Sequence, residues 1–331
     1  MIKNPKKIVI SRTDSIGDVI LTLPLAGILK ERFPKADIVF LGNTYTKPII
    51  ACSKHVDEIW EWAEIEKMHP ETQITWLAEQ DVDVFLHIFP RKELARLARK
   101  AKIKNRVGTS HRLYHFFNCN FRPRFTRKRS DLHEAQLNTK LLEPLRVGSD
   151  YTLDQLNNYI GFTQLPELPA KFSQLLSTHK TNVILHAKSQ GSAIEWGVNN
   201  FIELAKSLDP AHFNIFFTGT EKEAEYFRAD LPNQENIFDL SGKMTLGELI
   251  AFIAAANVLV AASTGPLHLA GITNINAIGL FSSIRPIHSG RWKPLGDKVI
   301  LFEDKKNSDF SQPLSIPLRD VVKAIEDVAK K

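Results

Sequence analysis

The sequence predicts an α/β protein made of two doubly wound domains. First, short apolar runs typical of strands alternate with helix-like stretches along most of the chain, a pattern typical of parallel sheets covered on both faces. Second, this alternation stops in an irregular region with two prolines, residues 148–181, and then begins again. Third, the chain has 331 residues, which is enough for two domains of ordinary size.

In the first series, strands are predicted for residues 7–11, 36–42, 82–88 and 105–108, and a helix for residues 18–33. Pro24 falls inside that helix, where a proline costs about 3 kcal/mol. We therefore expect either a kink at Pro24 or an irregular turn after Asp18. In the second series the pattern predicts strands 182–187, 213–219, 258–262 and 276–281, and helices 199–208, 221–229, 245–256 and 266–272.

Positive charge is concentrated in one segment. The formal net charge is +6, but residues 91–130 hold fourteen Lys and Arg against one acid, while the rest of the chain holds 29 basic and 36 acidic residues. Such a segment favours an anionic partner, which would be a nucleic acid, an anionic membrane surface or a phosphorylated substrate. Its first half, RKELARLARKAK, also fits the solvated face of a helix, and its second half, NFRPRFTRKRS, fits a basic loop.

Several classes of protein are disfavoured. The chain has no apolar run of about 18 residues, as a membrane-spanning helix needs, and its N-terminal residues lack the apolar stretch of a signal peptide. Cys52 and Cys119 make neither a disulfide framework nor a zinc site. We therefore expect a cytoplasmic protein. The absence of G-x-G-x-x-G argues against a dehydrogenase.

Three strand-to-helix corners carry the candidate functional residues. The first, SRTDSIGDVILTLP, places Thr13, Gly17 and Asp18 after a strand, and Asp18 is either a helix N-cap or a general base. The second, HAKSQGSAIEWG, contains Lys188, Ser189 and Ser192. Small residues and a lysine suit a phosphate, although the spacing is not that of a Walker loop.

The third corner is VLVAASTGPLHLAG. Pro266 suits the first turn of a helix, and Gly265 allows a ligand to approach the backbone, so an anion can bind at Thr264 and Gly265 with His268 near it. The alternative is a capped helix with a packed histidine. Glu221, after the strand that ends in FTGT, either caps a helix or accepts hydrogen bonds from a ribose. Together these corners suggest a nucleotide with a pyrophosphate.

The ordered set of motifs resembles glycosyltransferase family nine, the ADP-heptose:lipopolysaccharide heptosyltransferases. The matching stretches are RTDSIGDVILTLP, HAKSQGSAIEWG, FTGTEKEAE, LSGKMTLGELIAFIAAANVLVAASTGPLHLAG and GLFSSIRPIHSGRWKPLG. The resemblance implies a GT-B fold, in which two Rossmann-like domains face a central cleft. It also implies an inverting transfer without a metal or any cofactor other than the nucleotide sugar, with ADP-heptose as the expected donor.

The resemblance also implies domain limits and residue roles. The expected acceptor-binding domain is 1–165, the donor-binding domain is 166–315, and the helix 316–331 is expected to pack back on the first domain. Asp18 corresponds to the catalytic base. The donor diphosphate would contact Lys188, Ser189, Ser192, Thr264, Gly265 and His268; the ribose, base or sugar would contact Glu221, Ser263 and Trp196; and the acceptor or cleft would involve Thr13, Gly17, Arg122, Arg124, His288 and Arg291.

Two positions depart from the family pattern. Ile194 stands two residues before Trp196, where a basic residue is common, and Ser263 stands where an acid is common. Both lie in the expected donor site, so a UDP-sugar or another ADP-sugar remains an alternative donor. The basic segment would bind a phosphorylated glycolipid acceptor or the anionic inner face of the cytoplasmic membrane through Arg122, Arg124, Arg127, Lys128 and Arg129. A nucleic-acid-binding protein is the remote alternative.

Overall fold

The computed structural model describes residues 2–306 and 309–330. The chain divides into two units, Met1–Gln164 and Leu165–Lys331, where the sequence placed the boundary after residue 165. The predicted α/β class with two parallel sheets is confirmed, because every strand pair in both sheets is parallel.

The first unit is built on a parallel sheet in the order β3-β2-β1-β4-β5. Its strands are β1 Lys7–Ser11, β2 Asp37–Gly42, β3 Glu58–Glu61, β4 Val84–His87 and β5 Asn105–Val107. Its helices are α1 Ile16–Ile20, α2 Pro24–Arg32, α3 Lys47–Ile50, α4 Trp62–Glu66, α5 Pro70–Ala78, α6 Lys92–Lys100, α7 Leu113–Asn118, α8 Glu134–Thr139 and α9 Leu153–Asn158, with 3-10 turns at Thr44–Thr46 and Lys140–Leu145.

The central strands of this unit are apolar on both faces, as expected for strands covered on both sides. Ile10 of β1 is paired in register with Phe40 of β2 and Leu86 of β4, and all three side chains are fully buried. The strand order changes direction between β1 and β4. In sheets of this kind, ligands bind beyond the carboxyl ends of the strands at such a switch point, and Arg12 to Asp18 follow β1 there.

The second unit has the sheet order β11-β10-β9-β6-β7-β8. Its strands are β6 Thr181–His186, β7 Phe213–Phe217, β8 Ile237–Asp239, β9 Val258–Ala262, β10 Asn276–Ser282 and β11 Val299–Asp304. Its helices are α10 Ala170–Ser173, α11 Val198–Ser207, α12 Glu221–Ala224, α13 Leu246–Ala255, α14 Gly265–Ile272, α15 Ser289–Trp292 and α16 Leu318–Ala329, with a 3-10 turn at Arg228–Asp230. The switch point of this sheet lies between β6 and β9.

The structure changes the bounds of two predicted helices. The helix predicted for residues 18–33 is two helices, because Pro24 begins α2 as its first residue. The helix predicted for residues 221–229 ends at Ala224. Val321 and Ile325 of α16 are fully buried in the core of the second unit, and α16 packs against α11 and β10. Packing of this helix on the first domain stays a prediction.

Candidate functional site

In the first unit, the turn after β1 brings together an arginine and several carboxylates. The Arg12 side chain is only 4 % exposed. Its Nε donates to Asp14 Oδ1 at 2.7 Å, one Nη donates to Asp18, and the other lies 3.5 Å from Glu134 Oε1. Burial lowers the pKa of Arg12, but these three carboxylates outweigh burial and raise it overall. The guanidinium is therefore a fixed positive centre that orients Asp14 and Asp18.

Asp18 is held by two donors while its side chain remains partly exposed. It is the third residue of α1 and not its N-cap, which is Ser15, so the capping interpretation is wrong. Ser15 Oγ donates to Asp18 Oδ2 at 2.5 Å, and the Asp18 side chain is 18 % exposed. A carboxylate fixed by two donors and partly open to solvent is suited to accept a proton from a bound hydroxyl.

Asp14 titrates unusually. Burial raises the pKa of Asp14 to about 6, Asp18 adds to the rise, and Arg12 opposes it. Thr13, next to it, is buried, and among the described residues its Oγ1 has no hydrogen-bond partner. Gly17 is a buried residue within α1. The corner therefore holds polar groups in a position that is largely shielded from water.

The basic segment joins this corner through Arg127. Its Nε donates to Glu134 Oε1 at 2.9 Å and its Nη2 donates to Asn138 Oδ1 at 2.9 Å. Arg127 was expected on the basic surface, but it belongs to the carboxylate cluster around Arg12. By contrast, Arg124 is exposed, and the Arg122 guanidinium lies 4.9 Å from the centre of the Phe116 ring.

In the second unit, the sheet order places the candidate corners side by side. At the carboxyl edge, Glu221 follows β7, Lys188 to Ser192 follow β6, Ser263 to Gly265 follow β9, and His288 and Arg291 follow β10. The strands β6 and β9 are neighbours, with His186 paired to Ala261 at their ends. The two corners expected to bind an anion therefore flank the switch point.

The corner after β9 supports anion binding. The helix α14 begins at Gly265 with Pro266 in its first turn, and Thr264 is its N-cap without a side-chain capping bond. Thr264 is 5 % exposed, and its Oγ1 has no partner within the described part of the chain. A buried hydroxyl without a partner is costly, and the free N–H groups of a helix start favour an anion. His268 is buried one turn further on.

The corner after β6 contains its own carboxylate. Glu195 Oε2 accepts from Lys188 Nζ at 2.5 Å, and its Oε1 accepts from Ser189 N at 2.8 Å and from Ser189 Oγ at 2.9 Å. Ser192 Oγ donates to the Ser189 carbonyl at 2.8 Å. The groups expected to hold a diphosphate thus hold Glu195 in this structure.

Glu221 lies at the start of α12 but is already ion-paired. Both of its carboxylate oxygens accept from Arg228, the Nη2–Oε2 distance being 3.0 Å, and this hydrogen bonding lowers the pKa of Glu221. Gly242 lies against it, where a Cβ would come within 2.3 Å of Glu221 Oε2. Each oxygen keeps a second lone pair, so a ribose hydroxyl remains a possible partner.

Trp196 is not a donor-contacting residue. Its ring is 0 % exposed in the core of the second unit, and its Nε1 donates to the Ile316 carbonyl at 2.8 Å. Ser263 is half-buried between β9 and α14. At the corner after β10, the Arg291 guanidinium lies 5.1 Å from the Trp292 ring centre, and His288 is the N-cap residue of α15.

Sequence reasoning missed Arg12, Asp14 and Glu134 around Asp18, and Glu195 in the second unit. The sequence carried two signals for them. Arg12 stands two residues before Asp14 and six before Asp18, and Glu195 stands seven residues after Lys188, directly before a core tryptophan. What brings Glu134 to this site is the fold, because it lies 122 residues from Arg12 in the chain.

Comparisons with known proteins identify the family of the chain. The model of glycosyltransferase family 9 (heptosyltransferase) matches residues 76–315, so the chain belongs to this family and is a glycosyltransferase. A Haemophilus influenzae protein that is provisionally named a glycosyltransferase is 28 % identical to this chain over 302 residues. The aligned residues are 88 % of this chain and 87 % of that protein.

Two heptosyltransferases extend the comparison. The lipopolysaccharide core heptosyltransferase OpsX of Haemophilus influenzae is 19 % identical, over 94 % of this chain and 89 % of its own. The solved E. coli ADP-heptose lps heptosyltransferase II is 19 % identical with a TM-score of 0.77, over 98 % of each chain. The predicted GT-B class is confirmed by this shared fold.

Proposed function

We propose that this glycosyltransferase moves a heptose from ADP-heptose to a lipopolysaccharide-core or related cell-envelope acceptor, with inversion and without a metal. The observation that carries the proposal is the corner at Thr264 and Gly265. There a buried hydroxyl, which has no partner among residues 2–306 and 309–330, lies at a helix start beside the switch point of the second sheet. This corner would bind the diphosphate of the donor, and Glu221 would accept hydrogen bonds from its ribose.

Transfer would be a single displacement. The acceptor hydroxyl oxygen attacks the anomeric carbon, the bond from that carbon to the diphosphate oxygen breaks, and ADP leaves with the bonding electrons. Asp18 takes the hydroxyl proton, while Arg12 and Ser15 hold its carboxylate in place. The N–H groups at the start of α14 and the Thr264 hydroxyl stabilise the charge that develops on the leaving diphosphate.

The heptose assignment is supported by relatives whose names state heptose transfer. Two observations keep another nucleotide sugar as the second candidate: Ser263 stands where heptosyltransferases often have an acid, and Glu195 neutralises Lys188. Membership of a glycosyltransferase family explains the strand-to-helix corners of the second unit, whereas a nucleic-acid-binding function leaves them unexplained. We further propose that exposed residues such as Arg124, Lys128 and Arg129 bind a phosphorylated glycolipid at the inner face of the cytoplasmic membrane.

No helix within residues 2–306 and 309–330 is both long and apolar enough to cross a membrane. Location in the cytoplasm remains a prediction.

Thermal shift with ADP, UDP, GDP and CMP, and with their sugars, tests the donor. A ligand that binds the folded state raises the melting temperature, by an amount that grows with its concentration over Kd. We expect ADP and ADP-heptose to give the largest shifts. A larger shift with UDP would favour the second candidate, and no shift with any nucleotide would contradict the proposed function.

A further inference from the structure

The helix α7 presents to solvent the face that a surface helix normally buries. Leu113, Phe116 and Phe117 are spaced i, i+3 and i+4, which places them on one side of the helix. They are 76 %, 54 % and 67 % exposed. A surface helix ordinarily turns its apolar stripe inward, so α7 has the opposite arrangement.

Polar contacts on the inner side fix this orientation. His115 is buried, with its Nδ1 lying 3.1 Å from the Thr109 carbonyl oxygen, and Tyr114 Oη donates to the Pro90 carbonyl at 2.7 Å. Gly108 admits the His115 ring, because a Cβ at that position would come within 2.6 Å of its Nδ1. Rotating α7 to bury its aromatic residues would break these contacts, so the exposed apolar face is part of the fold.

Arginines lie close to this apolar face along the chain. Arg112 precedes the helix and is exposed, Arg122 stacks its guanidinium on the Phe116 ring, and Arg124 follows in an exposed position. The sequence contains no Asp or Glu between Glu93 and Asp131. An apolar centre with a rim of arginines matches the interface of an anionic bilayer, where lipid phosphates meet acyl chains.

Exposed aromatic rings beside arginines also occur in surfaces that bind single-stranded nucleic acid by stacking. Leu113 is the most exposed residue of the face and has no ring to stack, which favours lipid. We infer that α7 is a membrane-insertion element: Leu113, Phe116 and Phe117 enter the interfacial layer of an anionic membrane while Arg112, Arg122 and Arg124 contact lipid phosphates. This inference rests on the proposed function only in assuming that the acceptor lies at the same membrane.

The test uses the full chain and vesicles of phosphatidylethanolamine with phosphatidylglycerol, compared with pure phosphatidylcholine. The double variant Leu113→Ser/Phe117→Ser removes two exposed apolar side chains and leaves the Arg122–Phe116 contact in place. The matched control, Leu165→Ser/Phe310→Ser, replaces residues that are 44 % and 57 % exposed in the second unit. In co-sedimentation we expect the double variant to lose at least about tenfold in affinity for anionic vesicles. The control should bind like the wild type.

Two further readouts separate the alternatives. The tryptophan fluorescence of a Phe117→Trp variant should be quenched by lipids with brominated acyl chains. This quenching reports insertion and not surface attraction alone. Equal vesicle binding by the double variant and the wild type would overturn the inference. So would binding of a single-stranded oligonucleotide by the wild type, if the double variant no longer bound it. Transfer to a deacylated acceptor should be unchanged in the double variant. If the wild type shows no transfer to that acceptor either, the proposed function fails while the vesicle result still decides the membrane site.

Discussion

The Glu195→Gln substitution tests the role of the carboxylate inside the corner after β6. Glu195 accepts three hydrogen bonds, from Lys188 Nζ, Ser189 N and Ser189 Oγ, at 2.5 to 2.9 Å. A diphosphate bound at this corner would compete with Glu195 for the same donors and would meet its negative charge. Glutamine keeps the shape and can still accept from Ser189, but it releases Lys188. We therefore expect the substitution to tighten the binding of ADP.

The size of the effect follows from the ion pair. Lys188 and Glu195 are 19 % and 24 % exposed in their side chains, so the pair is neither fully solvated nor fully buried. A hydrogen bond to a charged group in such surroundings contributes about 1.5–3 kcal/mol, and exposure reduces this to about 1–2 kcal/mol. ADP affinity should rise by a factor of about 5–30. Adenosine, which has no phosphate, should bind both proteins equally.

Isothermal titration calorimetry with ADP and adenosine measures this difference directly. The matched control is Glu203→Gln, the same change at an exposed glutamate of α11 that pairs with Lys206 at 2.9 Å. An ADP affinity in Glu195→Gln that is equal to or weaker than that of the control, in a folded protein, would refute the reasoning. It would show that Glu195 organises the corner for the ligand and does not compete with it.

Three further predictions concern single residues. Thr264→Val removes a buried hydroxyl that has no partner within the described residues. The free energy of unfolding should therefore stay equal or rise by about 1 kcal/mol, while ADP affinity falls about tenfold. A fall in both stability and ADP affinity would indicate a structural role. Because the folded state raises the pKa of Asp14 to about 6, the contribution of Asp14 to the free energy of unfolding should fall by about 2 kcal/mol as pH rises from about 4 to about 6. Urea titrations should show that Asp14→Asn removes this fall. Trp196→Phe should lower the free energy of unfolding, measured by chemical denaturation, by about 2–3 kcal/mol, since Trp196 lies in the core. The ADP Kd of the folded protein should be unchanged.

The sequence predicted most central strands of both sheets, because buried parallel strands are short, continuous apolar runs. It missed the edge strands β3, β8 and β11. The first two are only four and three residues long, and a strand covered on one side carries charged residues such as those of EIWE in β3. Pro24 predicts either a kink or an irregular turn after Asp18, and the structure has two helices separated by residues 21–23.

Prediction succeeded for the local backbone of the candidate site. Thr264 and Gly265 lie at a helix start because a proline and small residues make that corner in any context. It failed where function depends on contacts distant in the chain, as for Glu134 beside Arg12. It also failed for Trp196, because an aromatic residue beside a polar loop has the same local pattern whether its ring faces a ligand or the core.

The central proposal is that Asp18 accepts the proton of the acceptor hydroxyl during transfer. The direct measurement compares transfer rate and ADP affinity in Asp18→Asn with those in Asp37→Asn, a control at an exposed aspartate that begins β2. We predict that Asp18→Asn lowers the rate of transfer about 10²–10⁴-fold, the range expected for loss of a general base. Its ADP Kd should stay within about twofold of the wild type, since a twofold change in Kd is well under 1 kcal/mol. Transfer by Asp18→Asn at the rate of the control would contradict the account.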